Sequence, residues 1–335
     1  MTDDRLRPQH HEPRNGDVIV SVRDLSVRFA AGNSTVHAVR GVDLDIRRGE
    51  VTALVGESGS GKSTVVLALM GLLAPNATVS GSITFDGTEL VGAPPVVLRR
   101  LRGARVGMVF QDPMTSLNPM HTVGRQLAEA VRVHRRVSAK DAARRAVELL
   151  DLVAVPHASQ RVGSYPHELS GGMRQRVMIA MAIANDPDLL IADEPTTALD
   201  VTIQAQVLDV LERLRDERRL AIALVTHDLG VVAGVADSVN VMYAGSLVEQ
   251  GDVRDVFYRA VHPYTLGLLA CSPRLDRPGE LVPIAGSPPV LTELPAGCAF
   301  AQRCERAVDG CHVRRPVLRP VGATRAACDL VGGAS

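Results

Sequence analysis

Gly56-Glu57-Ser58-Gly59-Ser60-Gly61-Lys62-Ser63 follows the apolar, strand-like run Val51 to Val55 and opens the helix-like run Val65 to Leu73. A glycine-rich turn between a strand and a helix lets successive backbone N–H groups face inward around phosphate oxygens at a helix N-terminus. In the G-x-x-x-x-G-K-S spacing the lysine, Lys62, reaches the β- and γ-phosphates of a nucleotide, and the hydroxyl of Ser63 is placed to ligate Mg²⁺. The nucleotide-binding stretch is thus Gly56, Glu57, Ser58, Gly59, Ser60, Gly61, Lys62, Ser63 and Thr64.

A second element follows from Asp188-Leu189-Leu190-Ile191-Ala192-Asp193-Glu194, an apolar run that reads as a buried parallel strand ending in two acids. Ligand groups in open α/β sheets collect at such carboxyl ends. With a phosphate loop in the same chain, Asp193 is expected to hold the Mg²⁺ and Glu194 to orient or deprotonate an attacking water.

Further motifs lie in a fixed order around these two: Gln111 after the strand-like Val106 to Phe110, Leu169-Ser170-Gly171-Gly172-Met173-Arg174-Gln175, Ala198-Leu199-Asp200, and His227 after the apolar Leu220 to Thr226. From about Val18 to Gly251 the chain resembles the ATP-binding subunits of ABC transporters. The resemblance implies the remaining roles. Phe29 stands where the family stacks an aromatic on adenine, and Gln111 matches a loop that senses Mg²⁺ and the membrane subunit. Ser170, Gly171 and Gly172 match the signature that closes over the ATP held by the opposite subunit; Asp200 matches the loop joining the two sites; His227 matches a histidine contacting the γ-phosphate. Glu194, His227 and Gln111 form the expected catalytic set, and Ser63, Gln111 and Asp193 the expected Mg²⁺ set. A complete site then needs two ATPase domains face to face around ATP, and hydrolysis reopens them.

The expected fold is α/β: an ABC-type P-loop ATPase with a RecA-like parallel sheet core, an antiparallel β-subdomain, a helical subdomain at about 112–175, and a small Pro- and Cys-rich C-terminal extension. Val18 to Phe29, Ala38 to Ile46 and Ser82 to Phe85 have strand-like patterns. Thr122 to Val133 and Ala139 to Leu152 carry apolar residues at helical spacing, with Ser138 as N-cap. Strand and helix then alternate through Val201 to Glu217, Leu220 to Thr226, Leu229 to Ala236 and Val239 to Tyr243, the order of a parallel sheet. Residues 1–16 read as a disordered lead-in, 17–260 as the ATP-binding domain and 261–335 as the extension. No internal repeat is present, so a partner ATPase domain must come from another chain. The turn-rich Asp112 to Met120 corresponds to the groove that receives the membrane subunit in the family.

Past Gly251 the composition changes, with nine of the chain's twenty prolines between Pro263 and Pro320. His262-Pro263-Tyr264-Thr265, Ala285-Gly286-Ser287-Pro288-Pro289 and the Cys-containing stretch beyond resemble the extension of the oligopeptide, dipeptide and nickel importer ATPases. That resemblance implies uptake of di- or oligopeptides, with nickel or another small solute as the alternative. It further implies a homologous second ATPase chain in a heterodimer, two transmembrane permease subunits and an extracytoplasmic substrate-binding protein. Cys298, Cys304, Cys311 and Cys328, spaced C-x5-C-x6-C-x16-C, suit a metal centre before disulfides in a chain without an export signal. The spacing lacks the C-x2-C knuckle of structural zinc and suits a [4Fe–4S] cluster; zinc and unligated thiols stay open beside it. Cys271 reads as a buried small residue.

Composition bounds the partners. The 335 residues are 46% hydrophobic and 22% charged with a formal net charge of zero. That balance argues against nucleic acid or an anionic membrane surface, which call for a concentrated basic face. The arginines of Arg99-Arg100-Leu101-Arg102 and of Arg135-Arg136 read as solvated helix faces. No apolar stretch reaches the roughly 18 residues a bilayer span requires, and the first sixteen residues lack the apolar core of a signal peptide. The expected location is the cytoplasmic face of the cell membrane, reached by docking. A soluble ABC protein of DNA repair or translation is the reading of a different class.

Overall fold

The computed structural model describes residues 17–110, 116–197, 199–271 and 283–331. The expectations for the lead-in, for Gln111 and for the first four residues of the docking stretch (112–115) fall outside them.

Two sheets form the frame. The first is antiparallel, in the order β2-β1-β4-β5, built from β1 (Val18–Ala31), β2 (Ser34–Arg47), β4 (Ala77–Phe85) and β5 (Thr88–Glu89). The second has eight strands, ordered β11-β12-β10-β9-β3-β8-β7-β6. Its centre, β9 (Ser238–Tyr243), β3 (Val51–Val55), β8 (Ala221–Thr226), β7 (Leu189–Asp193) and β6 (Val106–Val109), is parallel. β10 (Ser246–Asp252) turns back antiparallel to β9.

Continuous apolar runs suit strands covered on both faces. The side chains of β3, β7 and β8 divide between two cores: Ala53, Ala192 and Leu224 join one, and Leu54, Ile191 and Val225 the other. One core lies under the antiparallel sheet and the helix α1 (Lys62–Leu69); the other packs the helices Val123–His134, Ala139–Leu152 and Gly171–Ala182 onto the opposite face. Ser138 caps the second of these helices as its sequence suggests, its Oγ accepting from Asp141 N at 3.1 Å. Asp186 ties this helical layer to the core by pairing with Arg135 (2.6 Å), Arg145 (2.9 Å) and Arg218. The basic cluster at 99–102 is only partly solvated: Arg99 and Arg100 are exposed on the helix α2 (Pro95–Leu101), while Arg102 donates to the carbonyls of Met70 (2.7 Å) and Gly71 (2.6 Å).

The C-terminal segment adds two strands to the edge of the second sheet. β12 (Thr324–Ala326) pairs antiparallel with β10, and β11 (Arg319–Val321) pairs with β12 at the sheet's edge. Glu249, fully buried in β10, accepts from Val261 N (2.8 Å), His262 N (3.2 Å) and Thr324 Oγ1 (2.9 Å). A buried carboxylate is tolerable only with such donors. It joins the sheet, the entry to the helix Pro263–Ala270 and the terminal hairpin at one point.

Candidate active site

The phosphate loop leaves β3 with three glycines at positive φ: Gly56 at 153°, Gly59 at 77° and Gly61 at 103°. A side chain at Gly61 would collide with the carbonyl of Ala38 in β2, and one at Gly56 with that of Met242 in β9. Glycine is therefore demanded both by conformation and by close packing of the loop against each sheet. Ser60 O accepts from Gly245 N at 2.9 Å, fixing the loop to the β9–β10 turn.

The helix begins at Lys62, three residues before the apolar run, because Gly61 makes the turn. No side chain caps its N-terminus and its first turn holds no acid. Among the described residues, nothing on the helix itself competes with an anion for those first N–H groups. Lys62, buried to 5% exposure, donates to the carbonyls of Gly56 (2.8 Å) and Glu57 (3.0 Å) within its own loop. Burial pushes its ammonium below the ordinary lysine range, against the pull of Glu194, Asp193 and Glu57. Loop and donors fit a nucleotide triphosphate.

Ser63 Oγ lies 3.2 Å from Asp193 Oδ1, so the hydroxyl and carboxylate expected to share Mg²⁺ adjoin. This hard-oxygen pair fits that ion. Burial raises the Asp193 carboxyl, and the adjacent Glu194 adds to the rise, while Ser63 and Lys62 work against it. Glu194 directly follows β7 with φ at 49°, an unusual conformation for a residue with a side chain. Its Oε2 accepts from Thr197 Oγ1 at 2.8 Å, and its Oε1 lies 3.1 Å from His227 Nδ1. Burial would raise the Glu194 carboxyl; hydrogen bonds to Thr197 and His227 outweigh it and leave the group below its ordinary value. His227, beyond the end of β8, keeps 57% of its side chain exposed. Lys62, Ser63, Asp193, Glu194 and His227 thus meet at the carboxyl ends of β3, β7 and β8.

The signature residues lie elsewhere. Ser170 is the N-cap of the helix Gly171–Ala182, its Oγ accepting from Met173 N at 3.3 Å. A side chain at Gly172 would collide with Ile203, and one at Gly171 would touch Leu199. The signature therefore packs beside Asp200, which caps the helix Val201–Arg218 by accepting from Ile203 N at 3.0 Å. Phe29 is half-buried in β1, between Val36 of β2 and Ala77 of β4. Sequence reading overlooked Thr197, which no motif reading singled out, and two contacts to Glu57: Tyr264 Oη accepts its N–H at 2.9 Å, and Arg303 pairs with its carboxylate.

The ABC transporter family model matches residues 39–197, and the model for the oligopeptide/dipeptide transporter C-terminal region matches residues 248–311. The oligopeptide transport ATP-binding protein OppD of Salmonella typhimurium is 52% identical over 306 residues, 91% of this chain and 91% of its own length. This chain belongs to the ATP-binding subunits of oligopeptide and dipeptide ABC transporters. The dipeptide transport ATP-binding protein DppD of Bacillus subtilis is 51% identical, covering 85% of this chain and 86% of its own. Among solved structures, a dimeric ATP-binding cassette in a post-hydrolysis state bound to ADP and Pi matches with a TM-score of 0.64 at 28% identity, covering 70% of this chain and 99% of that one. As an ABC ATPase the chain binds and hydrolyses ATP with Mg²⁺.

The metal expectation at the cysteines does not gain the same support. All four of Cys298, Cys304, Cys311 and Cys328 are free thiols. Burial pushes the Cys298 and Cys328 thiols above their ordinary value, and the neighbouring cysteines add to the rise. Among the described residues no three His, Cys, Asp or Glu side chains converge as metal ligands, so a [4Fe–4S] cluster or zinc is unsupported. No helix among them is long and apolar enough to cross a membrane.

Proposed function

We propose that this ABC ATPase drives uptake of di- and oligopeptides through a membrane complex, with hydrolysis at the Lys62–Ser63–Asp193–Glu194–His227 constellation. The observation that carries the reading is the convergence of those five side chains beside an uncapped helix N-terminus. The α1 N–H groups hold the phosphates, and Lys62 exchanges its loop carbonyls for β- and γ-phosphate oxygens. Ser63 and Asp193 hold Mg²⁺, with Gln111 as its further neighbour; the ion offsets phosphate charge when bound. Glu194 accepts a proton from the attacking water as that water's oxygen bonds to the γ-phosphorus and the bond to ADP breaks. His227 contacts the γ-phosphate, and Phe29 stacks on adenine.

Ser170, Gly171 and Gly172 serve the ATP of a second subunit across a face-to-face dimer, and Asp200 links the two sites. That second subunit is a homologous chain. Two permeases, met at the loop ending in Met120, and an extracytoplasmic binding protein complete the importer on the cytoplasmic side of the membrane. The relatives are oligopeptide and dipeptide transport ATP-binding proteins by name, which favours peptide cargo over nickel. Residues 17–260 constitute the ATPase domain, 112–175 its helical part and 261–335 the extension.

Cells lacking this chain, complemented with wild type or Glu194→Gln, provide the test through uptake of labelled di- and oligopeptides. Restoration by wild type alone is expected. Equal uptake by the deletion and both complemented strains would overturn the peptide assignment and make nickel uptake the next assay.

A metal centre at the four cysteines is a second reading, favoured by one observation: Cys298 N donates to Cys311 O at 2.7 Å, which brings two of the four together. Iron and zinc content after anaerobic purification tests it. Stoichiometric metal lost on Cys→Ser substitution supports it; absence of both metals removes it.

A further inference from the structure

Glu57 puts a carboxylate in a loop built for a polyanion. The G-x-x-x-x-G-K-S chemistry does not ask for a carboxylate at this position, and one placed beside a triphosphate repels it unless neutralised. The neutralising charge comes from 246 residues further along the chain. Arg303 Nη1 and Nη2 bind Glu57 Oε2 and Oε1 at 2.8 and 3.0 Å, a bidentate fork.

Arg303 is itself fixed on all sides. Its side chain is only 6% exposed. Nε donates to Ala285 O at 2.9 Å, Nη2 to Ile284 O at 3.3 Å and Nη1 to Tyr243 Oη at 3.3 Å. The guanidinium lies 5.8 Å from the centre of the Tyr243 ring and 5.9 Å from that of Phe300. Tyr243, Tyr264 and Phe300 pack with centroids 4.6 to 5.4 Å apart, and Tyr264 Oη accepts the Glu57 N–H. Amide and carboxylate of one loop residue are thus both held by residues from the C-terminal third of the chain.

We infer that Arg303 is a positioning residue for ATP binding: by neutralising Glu57 and drawing it away from the phosphates, the C-terminal segment sets the shape and charge of the phosphate loop. The coupling is reciprocal by thermodynamic necessity, so ATP in the loop steadies the segment that carries Arg303. The extension becomes part of the nucleotide site rather than an appendage to it.

The test is a double-mutant cycle on the full chain, read by titration with a fluorescent ATP analogue, with wild-type binding as the control that separates failure of the nucleotide site from failure of this inference. Arg303→Gln should raise Kd about tenfold, roughly 1.4 kcal/mol, because an unpaired carboxylate then faces the phosphates. In the Glu57→Gln background the same substitution should cost less than about threefold, since no charge is left to neutralise. Arg303→Lys should recover part of the loss, lacking only the fork. In the reconstituted complex at saturating ATP, kcat should remain within about twofold while KM rises. Equal losses in both backgrounds, or no loss in the wild-type background, would overturn the inference by making Arg303 merely structural. Should Arg303→Gln fail to fold, hydrogen exchange on the wild type decides: ATP should slow exchange of the 298–304 amides, and unchanged exchange at saturating ATP refutes the coupling.

Discussion

Thr197 Oγ1 and His227 Nδ1 grip opposite oxygens of one carboxylate, Glu194, at 2.8 and 3.1 Å. The two partners differ in kind. His227 is largely exposed and free to exchange its contact for a phosphate oxygen, whereas Thr197, three residues along the same loop, orients Glu194 whatever His227 does.

That division makes Thr197 the sharper probe. Thr197→Val keeps the shape and removes the hydroxyl, so ATP turnover should fall about three- to tenfold, below the roughly 10²–10⁴ of a lost general base. The hydrogen bond holds the Glu194 carboxyl down, so its loss lets the pKa rise. The acid limb of the pH–rate profile should therefore move to higher pH. An unshifted acid limb would show that Thr197 does not tune Glu194.

Gly61→Ala tests the loop's packing. At φ 103° any side chain is strained, and its Cβ would meet the Ala38 carbonyl, which is backbone and cannot step aside. A loss of about 2 kcal/mol or more in unfolding free energy is expected, along with weakened ATP binding. Wild-type stability in denaturant would contradict this packing.

His262 gives the fold a pH dependence. It is 1% exposed, and burial pushes its pKa down from 6.5 to about 4, a hydrogen bond with the Ala327 backbone opposing only in part. Between those values the unfolded chain binds a proton that the folded one refuses, so stability is complete above pH 6.5 and falls as pH drops towards 4. The loss approaches on the order of 3 kcal/mol. His262→Gln should flatten that slope in denaturant titrations at pH 7 and 5; an unchanged slope would remove His262 as its source.

Met120 is 78% exposed beside Leu117, which is buried to 3%. If this loop meets a permease, Met120→Glu should abolish stimulation of ATP turnover by the membrane subunits and leave ATP affinity within about twofold, a charge in an apolar contact costing far more than one left in water. Full stimulation in reconstituted vesicles would place the docking surface elsewhere.

What the sequence made legible was local. Lys62, Ser63 and Asp193 stand in motifs whose spacing encodes their geometry, and continuous apolar runs mark the central parallel strands. The helix α1 starts at Lys62 and not at Val65 because Gly61, rather than hydrophobic periodicity, sets its first turn. The hairpin of β11 and β12 escaped notice because three-residue strands carry almost no periodic signal. Arg303 escaped it because a partner 246 residues away leaves no pattern in a single chain. Gln111 lies outside the described residues.

The terminal hairpin also governs how the molecule behaves in a crowded solution. Without it, β10 would expose the backbone groups that now pair with β12 at Glu249 and Gln250, a template for a passing strand. The hairpin substitutes β11, three residues long with Pro320 at its centre, and proline has no N–H to offer a further ladder. The eight-stranded sheet is thereby closed to growth on this side, so that the last strands of the chain guard the ATPase against aggregation.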